Sequence, residues 1–586
     1  MKVYFDGWIK KQLTLLNEGL FGHLDEVYKD VKDSKWLNGN AEGWERFPYF
    51  LNGLIPLSYA LNDEKLINKA NKYINLIMSY QNEEGNITPP NNTDQAKEDI
   101  WPLFLLLKVI SIYGKLSNDN NALLVIKKAL HYIDKHLETN KLIDWAKARY
   151  FECYIPMLYV LSIDESEKDF ISDLAMKLYN QGMDYLKCSS QWTTKAKWWS
   201  LETHGVNIAM ALKANELLKK LTNQDLGINA LKMIKILEKH HKTAYGHFTC
   251  DECLSGNSSY AGAELCSIVE AMYSYEILFE LTNDTYYLDR LEKLTFNGLA
   301  ATISKDMNAH QYDQQVNQIA CIPFDEKVFF TNTNDANIFG LEPNYGCCTI
   351  NFGQGWPLFA LSAFSINNDI VNINIPLKAK VVLDDNTTLS IDSNYPFDNK
   401  IKLICNKNIK VRLRIPSSYK ISKRYNVNND FITLHLKENK ERVINLRCKP
   451  TLINTKKNLH ALYYGNLLFV IPISYNKEVI EYEKNGVIRK YPYCDYYYRP
   501  TSNFKYAFAS NLFKVSFNKF DNPFDDNTPG MYIKGKFNEV DLRRKKGYTY
   551  VYNDKPSKIY KKLTEINMIP YGSSYLRMCE MYYNKK

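Results

Sequence analysis

The chain has 586 residues, 45% of them apolar and 24% charged, which excludes a disordered or membrane-embedded protein and leads us to expect two or three domains. Its net charge of +9 is concentrated late, in runs such as Lys420-Ile421-Ser422-Lys423-Arg424 and Arg543-Arg544-Lys545-Lys546. No nucleic-acid reader motif accompanies those runs, so they read as solvated strand edges and turns.

The N-terminus, Met-Lys-Val-Tyr-Phe-Asp-Gly-Trp-Ile-Lys-Lys, carries no signal-like core, and no segment reaches 18 unbroken apolar residues. A cytoplasmic protein without membrane contact is expected, its twelve cysteines kept as thiols. From about residue 8 to 300 the apolar period is helical. Predicted helices cover 8–20, 51–61, 65–80, 100–113, 121–136, 148–161, 167–186, 204–221, 227–241, 261–281 and 285–303. Short polar connections such as Thr282-Asn283-Asp284 separate them. Antiparallel helices on short loops fit an (α/α)6 barrel, with a helical solenoid as the competing arrangement. After about residue 365 the period becomes two, in 371–375, 410–415, 431–436, 443–447, 461–473 and 532–537. The expected organisation is a helical catalytic domain over 1–364, a β-sandwich over 365–450 and a second β-rich domain over 451–586.

Four cysteines, Cys188, Cys405, Cys448 and Cys579, have no His, Cys or acidic neighbour at ligand spacing and read as small buried residues. Cys347-Cys348 differs, because Gly346 supplies a turn that lets both sulfurs face one ion. Upstream, Glu264-Leu265-Cys266 offers a carboxylate and a thiolate near a helix start. Three thiolates and one carboxylate complete a tetrahedral set for Zn²⁺; ordinary buried cysteines are the competing reading.

Further blocks carry a resemblance: Gly7-Trp8-Ile9-Lys10-Lys11-Gln12-Leu13, Gly43-Trp44-Glu45-Arg46-Phe47-Pro48-Tyr49, Thr203-His204-Gly205-Val206-Asn207, Asp251-Glu252, Glu264-Leu265-Cys266 and Asn317-Gln318. The longest runs from Gly340-Leu341-Glu342-Pro343-Asn344-Tyr345-Gly346-Cys347-Cys348-Thr349 on to Gln354-Gly355-Trp356-Pro357. In order and spacing, residues 1 to about 470 resemble the bacterial β-L-arabinofuranosidases of glycoside hydrolase family 127 and its relative family 146. The resemblance implies a retaining exo-glycosidase acting on an oligosaccharide or glycoconjugate. It places zinc on Glu264, Cys266, Cys347 and Cys348, the nucleophile at Cys347 and the acid/base at Glu252, with Asp251 a rival for that role. Substrate contacts map to His204, Glu292 and Tyr312; Trp44 and Arg46 are expected either to shape the barrel mouth or to serve in packing. Other enzymes of helical toroids (uronyl hydrolases, lyases, epimerases) and a glycan-binding protein with structural zinc remain alternatives. Two departures lie beside the presumed site: Thr349-Ile350-Asn351-Phe352 stands where the family often has Ala-Asn-Met-His, and the Glu252–Glu264 connection is short.

Overall fold

In a computed structural model, residues 1–90, 99–367 and 370–585 are described. The predicted helices form, except that 204–221 divides into Gly205–Ala211 and Ala214–Thr222 and that Gly262–Glu264 is a strand, and they sort into two kinds. Arg46–Leu61, Trp101–Ser117 and Leu265–Thr282 are buried on nearly every side. Glu64–Ser79 instead buries a single stripe, Leu66, Ala70, Ile74, Ile77 and Met78. Asn120–Thr139 does the same through Ala122, Val125, Ile126, Ala129, Leu130, Ile133 and Leu137. A helix apolar all round must sit inside a layer, whereas one with a stripe must cover it.

The inner helices close a ring. Arg46–Leu61 packs on Trp101–Ser117, which packs on Tyr154–Leu161, which packs on Ala214–Thr222. Gly205–Ala211 and Ala214–Thr222 both touch Leu265–Thr282, which meets Gly355–Leu361, and that helix returns to Arg46–Leu61. Gly7–Glu18, Glu64–Ser79, Asn120–Thr139, Lys168–Gln181, Ala230–His241 and Thr285–Lys293 form the outer layer. Closure distinguishes this (α/α)6 barrel from a solenoid.

A repeated dipeptide makes the inner-to-outer turns. Asn62, Asn118 and Asn283 end inner helices in the left-handed conformation, at φ 52°, 56° and 54°. The next residue in each case, Asp63, Asp119 or Asp284, caps the outer helix by accepting from backbone N–H groups two or three residues on. Asparagine tolerates positive φ and aspartate is a preferred N-cap, so two residues reverse the chain.

Beyond the barrel, alternation takes over; in Lys400–Cys405, Ile401, Leu403 and Cys405 point inward. One five-stranded sheet runs Lys2–Phe5, Ala379–Val382, Thr388–Ser393, Lys400–Cys405, Arg442–Asn445. Its first strand comes from the N-terminus, ahead of the helical pattern that begins at about residue 8. The other sheet orders Val427–Asn428, Phe431–Leu436, Ile409–Arg414, Ile370–Ile373, Phe364–Asn367, with one parallel pairing between Ile370–Ile373 and Ile409–Arg414. A nine-stranded sheet then gathers strands from Thr451–Lys456 through Met581–Tyr582. No described helix is long and apolar enough to cross a membrane.

A buried ionic node joins these parts. Glu292, on the outer helix Thr285–Lys293, accepts from Arg414 Nη1 at 2.8 Å, from the Tyr395 hydroxyl at 2.6 Å and from Asn466 Nδ2 at 2.5 Å. Arg414 also binds Asp289 and is fully buried. Barrel, sandwich and nine-stranded sheet thus share one carboxylate. Removing one member of a buried pair strands the other, at a cost of about 3–5 kcal/mol, whereas an apolar pair of similar volume is often neutral. Arg414→Ala is therefore expected to lower the urea midpoint sharply, and Arg414→Met with Glu292→Met to recover most of the loss. An unchanged midpoint for Arg414→Ala would refute the node's structural role.

Candidate active site

A cavity of about 960 Å³ opens at one end of the barrel. Its inner wall is set by a short strand pair in which Gly262–Glu264 lies antiparallel to Asp313–Gln315, with Glu264 opposite Asp313. Leu265 N–H donates to Tyr312 O at 2.9 Å, so Tyr312 and Glu264 are brought side by side. Glu264 sits at the N-cap position of Leu265–Thr282, and Cys266 lies in that helix's first turn. The tandem cysteines begin the short helix Cys347–Asn351, preceded by Gly346, where an added Cβ would collide with the Tyr28 hydroxyl. Asn351 and Gln354 donate to Glu270 Oε1 at 3.2 and 3.0 Å, tying this segment back to Leu265–Thr282.

These elements bring Glu264, Cys266, Cys347 and Cys348 together, with one potential ligand atom from each lying within 4.8 Å of the others. Cys266 Sγ and Cys348 Sγ are 3.2 Å apart, and Cys348 Sγ lies 3.9 Å from Glu264 Oε1. Glu264 Oε2 is buried without a hydrogen-bond partner. A buried carboxylate oxygen left unpaired beside three sulfurs is the donor set of a cation site, and the cluster could hold a metal ion.

The four groups are not equivalent. Burial pushes the Cys266 and Cys348 thiols and the Glu264 carboxyl well above their ordinary ranges. Cys347 moves the other way. Hydrogen bonds from Cys266 and Cys348 hold its thiol well below the usual range, with the Arg46 charge and Tyr312 acting in the same direction against burial. It is also the only cluster member with appreciable exposure.

Glu252 faces Cys347 across Tyr312. The Tyr312 hydroxyl donates to Glu252 Oε1 at 2.5 Å and lies 3.2 Å from Cys347 Sγ. The other carboxylate oxygen, Oε2, lies 3.3 Å from His204 Nε2 and 3.2 Å from Trp199 Nε1. His204 caps Gly205–Ala211, its Nδ1 accepting from Asn207 N–H at 3.4 Å. An accepting Nδ1 leaves the proton on Nε2, aimed at Glu252. Asp251, the neighbouring carboxylate, is differently occupied: its oxygens accept from the backbone N–H of Gly262 at 2.7 Å and of Phe330 at 2.8 Å. Burial raises it to about 6. It braces loops and does not line the cavity.

The structure thus gathers Cys347, Glu252, Glu264, Cys266, Cys348, His204 and Tyr312 at one place. Glu292 is the correction: expected at the substrate, it is held in the buried Arg414 node and is absent from the cavity lining. Its spacing on an amphipathic helix carried no sign of a partner 122 residues away. Sequence reasoning also passed over Trp145, Arg149, Trp198 and Trp199. Arg149 stacks on Trp101 and Trp145, 4.6 and 4.4 Å from the ring centres, and pairs with Glu45 at 3.4 Å. Trp198 and Trp199 are 70% and 45% exposed at the cavity rim. Adjacent tryptophans in the polar loop Lys195-Ala196-Lys197-Trp198-Trp199 were the available signal. Arg46 lies 5.0 Å from the Tyr345 ring at the mouth, beside Trp44.

A family model described as the β-L-arabinofuranosidase GH127 catalytic domain matches residues 27–321, a stretch that holds Glu252, Glu264 and Cys266 and stops short of Cys347. No curated protein sequence matches. A crystal structure of a GH127 β-L-arabinofuranosidase from Geobacillus stearothermophilus T6 superposes with a TM-score of 0.68 at 13% identity, over 100% of both chains. A structure titled glycoside hydrolase gives 0.69 at 13% identity, over 100% of this chain and 97% of that one. A GH127 β-arabinofuranosidase gives 0.63 at 14%, with the same coverage.

The contrast among thiols is directly testable. Outside the cluster, the most accessible cysteine is Cys448, whose thiol burial pushes upward. The thiolate is the alkylated form. In chelator-treated protein at pH 6, iodoacetamide is expected to label Cys347 first and to leave Cys448 unmodified, read by peptide mass mapping. Preferential labelling of Cys448 would overturn the assignment of Cys347 as the reactive thiol.

Proposed function

This chain belongs to glycoside hydrolase family 127, and from that premise we propose that it is a retaining exo-glycosidase that releases terminal β-L-arabinofuranose, with Cys347 as nucleophile and Glu252 as acid/base. The observation carrying this reading is the Tyr312 hydroxyl in contact with both groups. Those two contacts keep the carboxylate and the sulfur within about 6 Å, close to the ~5–5.5 Å between the reacting groups of retaining glycosidases.

Zinc fits the donor set of Glu264, Cys266, Cys347 and Cys348, since thiolate sulfur with one carboxylate suits a four-coordinate Zn²⁺ and the unpaired Glu264 Oε2 is left to be satisfied. When bound, the ion would supply the charge that keeps these thiols deprotonated.

The chain's own residues account for the remaining steps. Glu252, protonated, gives its proton to the glycosidic oxygen as the Cys347 sulfur attacks the anomeric carbon, so the alcohol leaves and a glycosyl thioether forms. Glu252, now ionised, takes a proton from water; the resulting hydroxide attacks the same carbon, the carbon–sulfur bond breaks and the thiolate returns. Two inversions retain the configuration. His204 and Trp199 each donate to Glu252 Oε2, fixing which oxygen faces the sugar and stabilising the carboxylate left after the first step. The acid/base stands on the leaving-group side. Trp199, touching it, therefore flanks the aglycone, and the exposed Trp198 extends that platform. Arg149 and Glu45 line the deeper wall, where hydroxyl groups of a furanose would be read.

On p-nitrophenyl β-L-arabinofuranoside, the protein is expected to be active with about one zinc per chain, measured by elemental analysis of the same preparation. Glu252→Gln should lower kcat about 10²–10⁴-fold, the usual range for losing a general acid/base. Cys347→Ala should abolish detectable turnover while the protein stays folded by circular dichroism. A Cys347→Ala variant at wild-type rate would sink the proposal, as would an active, folded preparation without zinc.

A further inference from the structure

A second cavity, of about 670 Å³, lies between the outer barrel helices and the β-units and shares no lining residue with the first. Its walls carry Lys242, Lys293, Lys420, Arg447 and Lys449. Among the described residues, none of these five has a carboxylate within 4.0 Å, and the one lining carboxylate, Glu238, is taken by Arg290 Nη1 at 2.6 Å. Three lysines elsewhere on the sandwich do find partners, Lys378 with Asp6 and Asp392, Lys402 with Asp392 and Lys407 with Asp385, but among the described residues no carboxylate does the same for these five. We propose that this crevice is a binding site for a small, multiply charged phosphate-bearing anion.

The backbone geometry makes the charge crowding specific. Lys420 N–H donates to Arg447 O at 2.8 Å, and Arg447 N–H donates to Lys420 O at 2.7 Å. Residues that exchange both bonds stand directly opposite one another, with their side chains on the same face. Like charges so placed repel and destabilise the pair unless something negative lies between them. From the barrel side come Lys242, just past the helix Ala230–His241, and Lys293, the last residue of Thr285–Lys293. Lys293 is partly buried, and desolvation lowers its ammonium pKa against the opposing charges of Asp289 and Glu238, neither of which comes within ion-pair distance. An anion in the crevice would relieve both costs.

The cavity's size suits a compact organic ligand, and Ile453 and Tyr463 provide an apolar surface beside the cations. Lysine acts as a point charge toward phosphate, whereas a planar carboxylate is best matched by paired guanidinium groups. Only one lining guanidinium, that of Arg447, is uncommitted, which favours phosphate. Because the crevice joins Thr285–Lys293 to the strands that follow Arg414, occupancy would also reinforce the docking of barrel on sandwich.

Calorimetric titration of the full chain with pyrophosphate at about 0.15 M salt tests this, the salt being chosen so that diffuse surface attraction is screened beyond about 8 Å. Saturable binding at one site per chain is expected. Lys420→Glu with Arg447→Glu should weaken it at least about tenfold, a change of ~1.4 kcal/mol, as should the milder Lys293→Met if the double variant folds poorly. Lys561→Glu with Lys562→Glu, on an exposed strand, should change affinity less than about twofold, under ~0.4 kcal/mol. Absence of saturable heat would overturn the proposal. So would equal weakening by the Lys561/Lys562 control, or citrate binding as tightly as pyrophosphate.

Discussion

A carboxylate and three thiols confined within 4.8 Å and largely buried cannot all carry charge uncompensated, and the differences among the four follow from that conflict. Burial pushes the Glu264 carboxyl and the Cys266 and Cys348 thiols toward their neutral forms, which leaves the two thiols able to donate hydrogen bonds. Cys347 receives two of those hydrogen bonds, together with the field of Arg46, and becomes the acidic member. The same crowding that would let the cluster hold a metal ion thus singles out one sulfur. Exposure agrees, since Cys347 alone of the four reaches the cavity with appreciable surface.

The fold is arranged to sustain that crowding. Glu264 and Cys266 enter from the start of an inner helix, and Cys347 and Cys348 from a short helix far along the chain. Glu270 locks the two segments together through Asn351 and Gln354. Behind it, Glu270 and Glu152 are themselves held by Lys108 and Lys213, which are buried completely. Such pairs are costly to desolvate and costlier to break, so they favour a single arrangement of the barrel interior. Glu292 and Arg414 do comparable work outside the ring, where the barrel meets the β-units.

Much of this was readable in the sequence, for reasons that can be named. The helices were visible because Asn-Asp turns and apolar stripes are local signals, as at Asn62-Asp63 and Leu66 to Met78. The pairing of Glu264-Leu265-Cys266 with Cys347-Cys348 rested on chemistry and on resemblance, since nothing local links segments so far apart. Glu252 and Asp251 could not be separated from residue type alone. What separates them is who donates: backbone N–H groups occupy Asp251, while Tyr312, His204 and Trp199 surround Glu252. Glu292 misled because a buried ionic partner from the sandwich leaves no trace in a helix's own period. The N-terminal strand Lys2–Phe5 was missed likewise, its partner lying at Ala379–Val382.

In the proposed reaction the sugar passes through a covalent bond to Cys347. The most direct measurement is peptide mass spectrometry of a Glu252→Ala variant, incubated with a β-L-arabinofuranoside whose leaving group needs no acid and quenched during turnover. Loss of the acid/base slows the second step most, so the intermediate should accumulate. One anhydropentose mass is expected on the peptide containing Cys347. That mass on a carboxylate-bearing peptide, or release of the leaving group with no adduct at any time point, would contradict it.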